Sequence, residues 1–144
     1  MEKSVVESGV PDLGVPLNMA VRYGDLLFVS GIPPFREDFA AQLRAARETG
    51  RPLPRFPDMP FEEQAIVVMD HLKQIVEAAG STMDHLLKVN VWLKNQSDAP
   101  VFDRVYRRYF SSQQALPART RLQAGGMPMD CGLEVEAIGY IPAR

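Results

Sequence analysis

Residues 61–80, FEEQAIVVMDHLKQIVEAAG, and residues 86–94, LLKVNVWLK, decide the fold. In the first segment apolar residues recur at steps of three and four and stop at Gly80, which is typical of an amphipathic helix. In the second segment apolar and polar residues alternate, which indicates a half-buried strand. The face predicted to be buried carries Leu87, Val89, Val91 and Leu93.

The segments on either side predict a hairpin, a second helix and two further strands. Residues 18–30 hold two β-prone runs around Tyr23-Gly24-Asp25, a tripeptide typical of hairpin turns. After the strand, Ser97-Asp98 can cap a second helix, whose apolar stripe reaches Phe110 and which ends before Pro117. The last two strands are predicted at residues 119–124 and 133–140.

The resulting order, ββαβαββ, predicts the fold class α+β. Helices that alternate with strands in this way favour two layers, with a mixed sheet and both helices on one face. The second face of the sheet then needs a cover, and further copies of the chain are a natural one. We therefore expect self-association, with ligand clefts between subunits.

Residues 31–60 form a separate segment that is rich in proline and arginine. Its six prolines, at positions 33, 34, 52, 54, 57 and 60, exclude regular sheet. Residues 38–50 can make three helical turns, with Asp38 as the N-cap and Gly50 at the C-terminal end. We interpret residues 31–60 as a solvated flap; the alternative is that its arginines, at positions 36, 44, 47, 51 and 55, lean over a cleft.

Length and charge exclude several classes of protein. With 144 residues the chain is predicted to be a single domain, 1–144. Lys and Arg total 16 against 18 Asp and Glu, so the net charge of −2 argues against a nucleic-acid or anionic-membrane binder. No apolar run is long enough to span a membrane. A single cysteine and a first segment without a basic and apolar leader predict a cytoplasmic protein.

The usual signatures of phosphate, metal and acyl-transfer chemistry are absent from the sequence. His71 and His85 fall in different elements without the spacing of metal ligands, so we interpret both as structural or surface residues. Cys131 has no adjacent base and is expected to be an inert thiol. No metal site and no cofactor are predicted.

Two pairs of charged residues on the last strands are the candidates for a site. Arg119 and Arg121 are two residues apart, so on a strand they point to the same side. Glu134 and Glu136 share a face in the same way. The pattern alone favours a solvated edge, and the alternative is that each pair serves one site.

Four segments resemble the RidA (YjgF) family of reactive intermediate imine deaminases. They are GDLLFVSG at 24–31, VEAAG at 76–80, YRRYF at 106–110, and LPART at 116–120 followed by LEVEAI at 133–138. The resemblance extends over most of the chain. It implies a chorismate-mutase-like α+β fold, assembled as a homotrimer with ligand clefts between neighbouring subunits. It also implies hydrolysis of enamines and imines of 2-oxo acids to the oxo acid and ammonia, without a cofactor.

The same resemblance assigns residues to roles. It places the arginine that binds the substrate carboxylate at Arg119, the glutamate that positions water at Glu134, and a serine that contacts the ligand at Ser30. Guanidinium binds a carboxylate through two parallel hydrogen bonds, and a glutamate can accept the proton of an attacking water.

The sequence departs from the family pattern at four positions that are expected to line the pocket. Leu17 stands where the family often has Tyr, Ile32 where it has Gln, Asp103 where it has Asn, and Arg121 where it has Cys. Arg121 would add a second cation, which suggests a larger or dicarboxylic substrate of the aminomuconate kind. Alternatively, Arg121 only pairs with Asp103 or Glu136.

Three functions follow from these residues. The leading one is an imine or enamine deaminase, a hydrolase with Arg119 and Glu134 as its catalytic residues. The alternative is a non-catalytic trimer that binds a small carboxylate as a sensor or partner module. An RNA-directed activity is the weakest of the three, because the chain is acidic overall and lacks a basic stripe lined with aromatic residues.

Overall fold

The structure is a computed structural model that describes residues 1–143, and it contains a six-stranded mixed sheet with three α-helices. The strands are β1 (Lys3–Val5), β2 (Ala20–Tyr23), β3 (Leu26–Ile32), β4 (Leu86–Leu93), β5 (Ala118–Gln123) and β6 (Leu133–Tyr140). The helices are α1 (Glu37–Thr49), α2 (Phe61–Ala78) and α3 (Ala99–Arg107). Across the sheet the order is β1-β2-β3-β6-β4-β5; β4 and β5 run parallel, and the other neighbours are antiparallel. The predicted α+β class is confirmed.

The main core lies between one face of the sheet and helices α2 and α3. Helix α2 contributes Leu72 and Ile75, and α3 contributes Phe102, all of which are fully buried. From the sheet, Val89 and Val135 meet them. Both helices carry an apolar stripe and lie over the same face, because that arrangement removes both stripes from water together.

The opposite face of the sheet carries large apolar side chains that nothing within residues 1–143 covers. Leu26, Phe28, Ile138 and Tyr140 are each at least 37% exposed. The register pairs Leu26 with Tyr140 and Phe28 with Ile138, so the four side chains lie together. A contiguous exposed apolar patch of this kind is typical of an interaction surface.

Strand β1 and helix α1 are absent from the predicted order. Strand β1 pairs with the edge strand β2, with Lys3 opposite Tyr23, and all three of its residues are exposed. A short exposed strand buries nothing, so its sequence shows no apolar alternation. Helix α1 begins at Glu37 rather than at an Asp38 cap, and it ends at Thr49, followed by Gly50, whose φ of 69° places it in the left-handed conformation.

Residues 31–60 are not a solvated flap along their whole length. Phe35, Phe39, Leu43, Phe56 and Cys131 form a second buried group, which we call the α1 cluster. The rings of Phe35 and Phe39 are 4.8 Å apart, and that of Phe56 lies within 5.5 Å of both. The prolines do not predict this packing, because proline excludes sheet but not a short helix with aromatic residues in and around it: Phe39 lies on α1, Phe35 precedes it and Phe56 follows it.

Most arginines of this segment bind the protomer's own surface. Their partners are Glu63 for Arg36, Glu37 and the Asp12 carbonyl for Arg44, the Leu13 carbonyl for Arg47, and Asp130 for Arg55. These contacts attach α1 to the N-terminal segment, to α2 and to the turn before β6.

Two element boundaries differ from the prediction. A register shift between Leu86 and Lys88 turns Leu87 outward, where it is 47% exposed, so the prediction that Leu87 is buried was wrong. Leu86 takes the inward position instead. Helix α3 ends at Arg107, so Phe110 lies in the following turn, although it still packs against the core.

The α1 cluster predicts a measurable contribution to stability. Phe39→Ala should lower the free energy of unfolding by about 3–5 kcal/mol, because it removes a ring from a packed group. Arg51→Ala, at an exposed position of the same segment, should change it by less than about 0.5 kcal/mol. Urea unfolding followed by circular dichroism measures both values. Equally small effects would mean that the segment is a solvated flap after all.

Candidate functional site

Arg119 lies on β5 and points toward helix α3. In the parallel pairing of β4 and β5 it stands beside Val89, a fully buried residue of the helix-covered face. Its guanidinium carbon lies 4.9 Å from the centre of the Tyr106 ring and 5.9 Å from that of Phe102. Two aromatic faces of α3 therefore hold this cation at the helix-covered face of the sheet.

Arg121 points to the same side as Arg119, and Asp103 of α3 binds both. The Nη1 atom of Arg119 is 2.8 Å from Oδ1 of Asp103, and the Nη1 atom of Arg121 is 3.3 Å from Oδ2. Of the two partners that the sequence left open for Arg121, Asp103 is the one in contact. Glu136 instead accepts a hydrogen bond from Nε1 of Trp92 at 3.0 Å.

A cleft of about 250 Å³, which we call the arginine pocket, opens beside Arg119. It is lined by Asp103, Tyr106, Arg107, Gln113, Leu116, Pro117 and Arg119. The hydroxyl of Tyr106 is buried without a hydrogen-bond partner among residues 1–143, and burial raises its pKa to about 12. The hydroxyl therefore keeps its proton at neutral pH and is available as a donor in the pocket.

Glu134 lies on the opposite face of the sheet. It pairs in register with Trp92 on β4, and its side chain covers the backbone of Gly31. A Cβ atom at position 31 would overlap with the Oε1 atom of Glu134, so glycine is required there. Burial raises the pKa of Glu134, and the neighbouring charge of Glu136 raises it further.

The two carboxylates of the Glu134/Glu136 pair have different environments. Glu136 accepts the Trp92 hydrogen bond, whereas Glu134 accepts none from the residues that the structure describes. A half-buried carboxylate with a raised pKa and free acceptor positions is typical of a group that exchanges protons. Glu134, rather than Glu136, is the candidate base.

The three remaining predicted site residues are placed differently from one another. Ser30 precedes Gly31 in a bulge of β3, and its hydroxyl donates to the Asn18 carbonyl at 2.7 Å. Leu17 is 48% exposed in the loop next to Asn18. Ile32 is 1% exposed and belongs to the main core, so it offers no surface to a ligand and the prediction that it lines the pocket was wrong.

The sheet separates the two halves of the predicted site within one protomer. Arg119, Arg121 and Asp103 lie on the helix-covered face, while Glu134 lies on the opposite face near Gly31. The side of a strand to which a residue points is set by its register with its neighbours. A single chain therefore cannot bring Arg119 and Glu134 to the same ligand.

Two features near the site depend on packing and cannot be found from residue spacing. Tyr106, within the apolar stripe of the second predicted helix, lines the arginine pocket and has an unpartnered hydroxyl. Trp92 of β4 donates a hydrogen bond to Glu136 of β6. The second feature leaves no signal in spacing, because it joins two strands that are far apart in the chain.

The histidines and the cysteine do not join either half of the site. Burial lowers the pKa of His71 on α2, and the ring of His85 packs against that of Tyr140. Cys131 belongs to the α1 cluster, and burial raises its pKa to about 12. Residues 1–143 contain no group of three potential metal ligands. Among these residues no helix has the length and apolar character needed to cross a membrane.

Comparison with known proteins identifies the family. A family model described as endoribonuclease L-PSP matches residues 11–141. The chain belongs to the endoribonuclease L-PSP family. The family's solved structures include a RidA protein from an Antarctic Psychrobacter, which superimposes with a TM-score of 0.77 at 26% identity and covers 95% of this chain and 98% of its own. The predicted resemblance to RidA is confirmed.

Other members of the L-PSP family match over almost the full length. A RutC family protein of Pyrococcus horikoshii is 28% identical over 140 residues, which are 97% of this chain and 98% of the relative. TdcF of Escherichia coli, named as a candidate reactive intermediate deaminase, is 28% identical over 96% of both chains. The crystal structure of TdcF with bound serine has a TM-score of 0.77 at 26% identity, covering 95% of this chain and 98% of that one.

Proposed function

We propose that the protein is a deaminase that hydrolyses an enamine or imine of a 2-oxo acid to the oxo acid and ammonia. The proposal rests on the environment of the Glu134 carboxylate. This group is half-buried over Gly31, accepts no hydrogen bond within residues 1–143, and has a raised pKa. The name of TdcF and the serine in its structure support the same class of small amino-acid-derived ligands.

Arg119 binds the carboxylate of the substrate in this proposal. Its guanidinium is 24% exposed at the arginine pocket, and the rings of Phe102 and Tyr106 fix its plane. A planar guanidinium matches a carboxylate in a bidentate manner, which fixes the position of the neighbouring C=N carbon. The arrangement positions a small ligand and does not require a metal or a cofactor.

Glu134 moves the proton that the reaction requires. Water adds to the carbon of the protonated imine while the carboxylate of Glu134 accepts one of its protons, which gives a neutral carbinolamine. Glu134 then passes this proton to the nitrogen, the C–N bond breaks and ammonia leaves, while the carbinolamine hydroxyl gives its proton to Glu134 as the C=O bond forms; that proton passes to the departing ammonia. One group can serve both steps because its pKa is raised toward neutrality by burial and by Glu136.

The site requires more than one copy of the chain, because Arg119 and Glu134 lie on opposite faces of one sheet. We infer a homotrimer in which the arginine pocket of one subunit faces the Glu134 side of its neighbour. The exposed patch of Leu26, Phe28, Ile138 and Tyr140 supports an assembly that covers this side of the sheet.

The contacts of Asp103 favour monocarboxylic substrates. A dicarboxylic substrate of the aminomuconate kind needs two positive charges, whereas Asp103, which contacts both Arg119 and Arg121, neutralises one of the two. The family description names a ribonuclease, but the net charge of −2 gives no support to a polyanion in this site.

Turnover of freshly generated imines tests the proposal. Arg119→Ala should lower kcat/KM by about 30-fold or more, mainly through KM, because the carboxylate loses its charged partner. Glu134→Gln should lower kcat by about 100-fold or more, because the proton acceptor is lost. Release of ammonia and of the oxo acid measures both effects. Arg104→Ala, at an exposed position of α3, is the control and should leave the rate unchanged.

The same assay distinguishes the deaminase from a carboxylate-binding module. Wild-type protein that binds a 2-oxo acid but does not accelerate the hydrolysis of any imine would contradict the enzyme and favour the binding module. Wild-type rates in the Glu134→Gln variant would contradict its role as the base.

The raised pKa of Glu134 predicts the acid limb of the pH profile. The base acts when ionised, so kcat should fall as the pH decreases through the pKa of Glu134, which burial and Glu136 raise above its ordinary value. Glu136→Gln removes a neighbouring negative charge but keeps an acceptor for Trp92, so it should shift this limb to lower pH. Glu2→Gln, at the exposed N-terminus, is the control. If the acid limb of the kcat profile of Glu136→Gln lies at the same pH as in the wild type, the assignment of this limb to the ionisation of Glu134 is contradicted.

A further inference from the structure

Asp103 is the one acidic residue that lines the arginine pocket, and it contacts both cations of that face. Its two carboxylate oxygens are divided between Arg119 at 2.8 Å and Arg121 at 3.3 Å. The two arginine side chains are 24% exposed and that of Asp103 is 43% exposed. Asp103 and Arg119 line the pocket, and Arg121 contacts Asp103 next to it.

We propose that Asp103 is a specificity-determining residue that restricts the arginine pocket to ligands with a single carboxylate. The inference rests on the proposed function in placing the ligand carboxylate at Arg119. The two guanidinium groups and the carboxylate of this trio leave a single positive charge, which one ligand carboxylate neutralises. A second ligand carboxylate would meet the charge of Asp103 without a free cation.

The remaining surface of the pocket offers a second carboxylate no compensation. Leu116, Pro117 and the ring of Tyr106 are apolar, and burying a charge against them without a partner is unfavourable. Arg107 also lines the pocket, but it is exposed and donates to Gln113 at 3.2 Å. A solvent-exposed cation of this kind is screened and contributes little.

A residue of the pocket carries a buried polar atom without a partner. The Tyr106 hydroxyl has no hydrogen-bond partner within residues 1–143, although it is buried. Unpaired buried donors are rare in folded proteins, because each has lost its hydrogen bonds to water. Tyr106 lines the pocket and its ring centre lies 4.9 Å from the guanidinium carbon of Arg119, which makes its hydroxyl a candidate donor to a carboxylate held by Arg119.

Substitutions that change the charge of the wall test the proposal without requiring turnover. Binding of 2-oxobutyrate, with one carboxylate, and of 2-oxoglutarate, with two, is measured by isothermal titration calorimetry. Wild type should prefer 2-oxobutyrate. Asp103→Asn keeps the shape and removes the negative charge, so it should raise the ratio of 2-oxoglutarate to 2-oxobutyrate affinity by about tenfold or more.

A second variant controls for any disturbance of the pocket by the uncompensated positive charge that Asp103→Asn leaves. The double variant Asp103→Asn with Arg121→Gln restores a single positive charge and should return the ratio to the wild-type value. Arg104→Gln removes an exposed cation from the same helix and should leave the ratio unchanged. Circular dichroism and size-exclusion chromatography establish that each variant keeps its fold and assembly.

The outcomes separate this inference from the proposed function. An unchanged ratio in Asp103→Asn, with imine turnover intact, overturns the inference and leaves the deaminase standing. A shifted ratio without imine turnover supports the inference and identifies the pocket as a binding site only. Failure of the wild type to bind either acid overturns the placement of a carboxylate at Arg119, and the inference with it.

Discussion

The alternation of side chains on the strands is the constraint on which the functional arrangement depends. Because Arg119 stands beside Val89 and Glu134 beside Trp92, the cation and the candidate base point away from each other. The helices α2 and α3 then cover the arginine side and leave the glutamate side without a cover in the described chain. The homotrimer that we propose links assembly to chemistry, since a contact that hides the apolar sheet face would also complete the site.

Local packing within one protomer positions each half of the candidate site. On the helix-covered face, aromatic rings and Asp103 hold the guanidinium of Arg119. On the other face, the absence of a side chain at Gly31 makes room for the carboxylate of Glu134, and partial burial raises its pKa. Preorganised groups of this kind need little rearrangement to bind a ligand or transfer a proton. The two halves differ in that Arg119 has an internal partner and Glu134 has none among residues 1–143.

The sequence predicts those parts of the fold that leave a periodic signal. The long helix α2, the hairpin of β2 and β3, and the last strand follow from apolar spacing, and the two-residue spacing correctly pairs Arg119 with Arg121. Strand β1 and the α1 cluster are not predicted from the sequence, because neither produces a long apolar period. The outward orientation of Leu87 depends on a register shift between strands. The spacing of residues within one strand also cannot show whether they lie on the same face of the sheet as residues of another strand. For that reason the separation of Arg119 from Glu134, and the burial of Ile32, become visible only in the folded chain.

Subunit complementation tests the central claim, that one site is built from two copies. Arg119→Ala and Glu134→Gln chains are co-expressed with different affinity tags in equal amounts, and the mixed oligomers are assayed for imine hydrolysis. In the proposed assembly each mixed trimer contains one site of three in which an intact Arg119 faces an intact Glu134, so mixed trimers purified through both tags should recover about a third of the wild-type rate. Mixed oligomers that stay as inactive as the two parent variants would contradict a site shared between subunits.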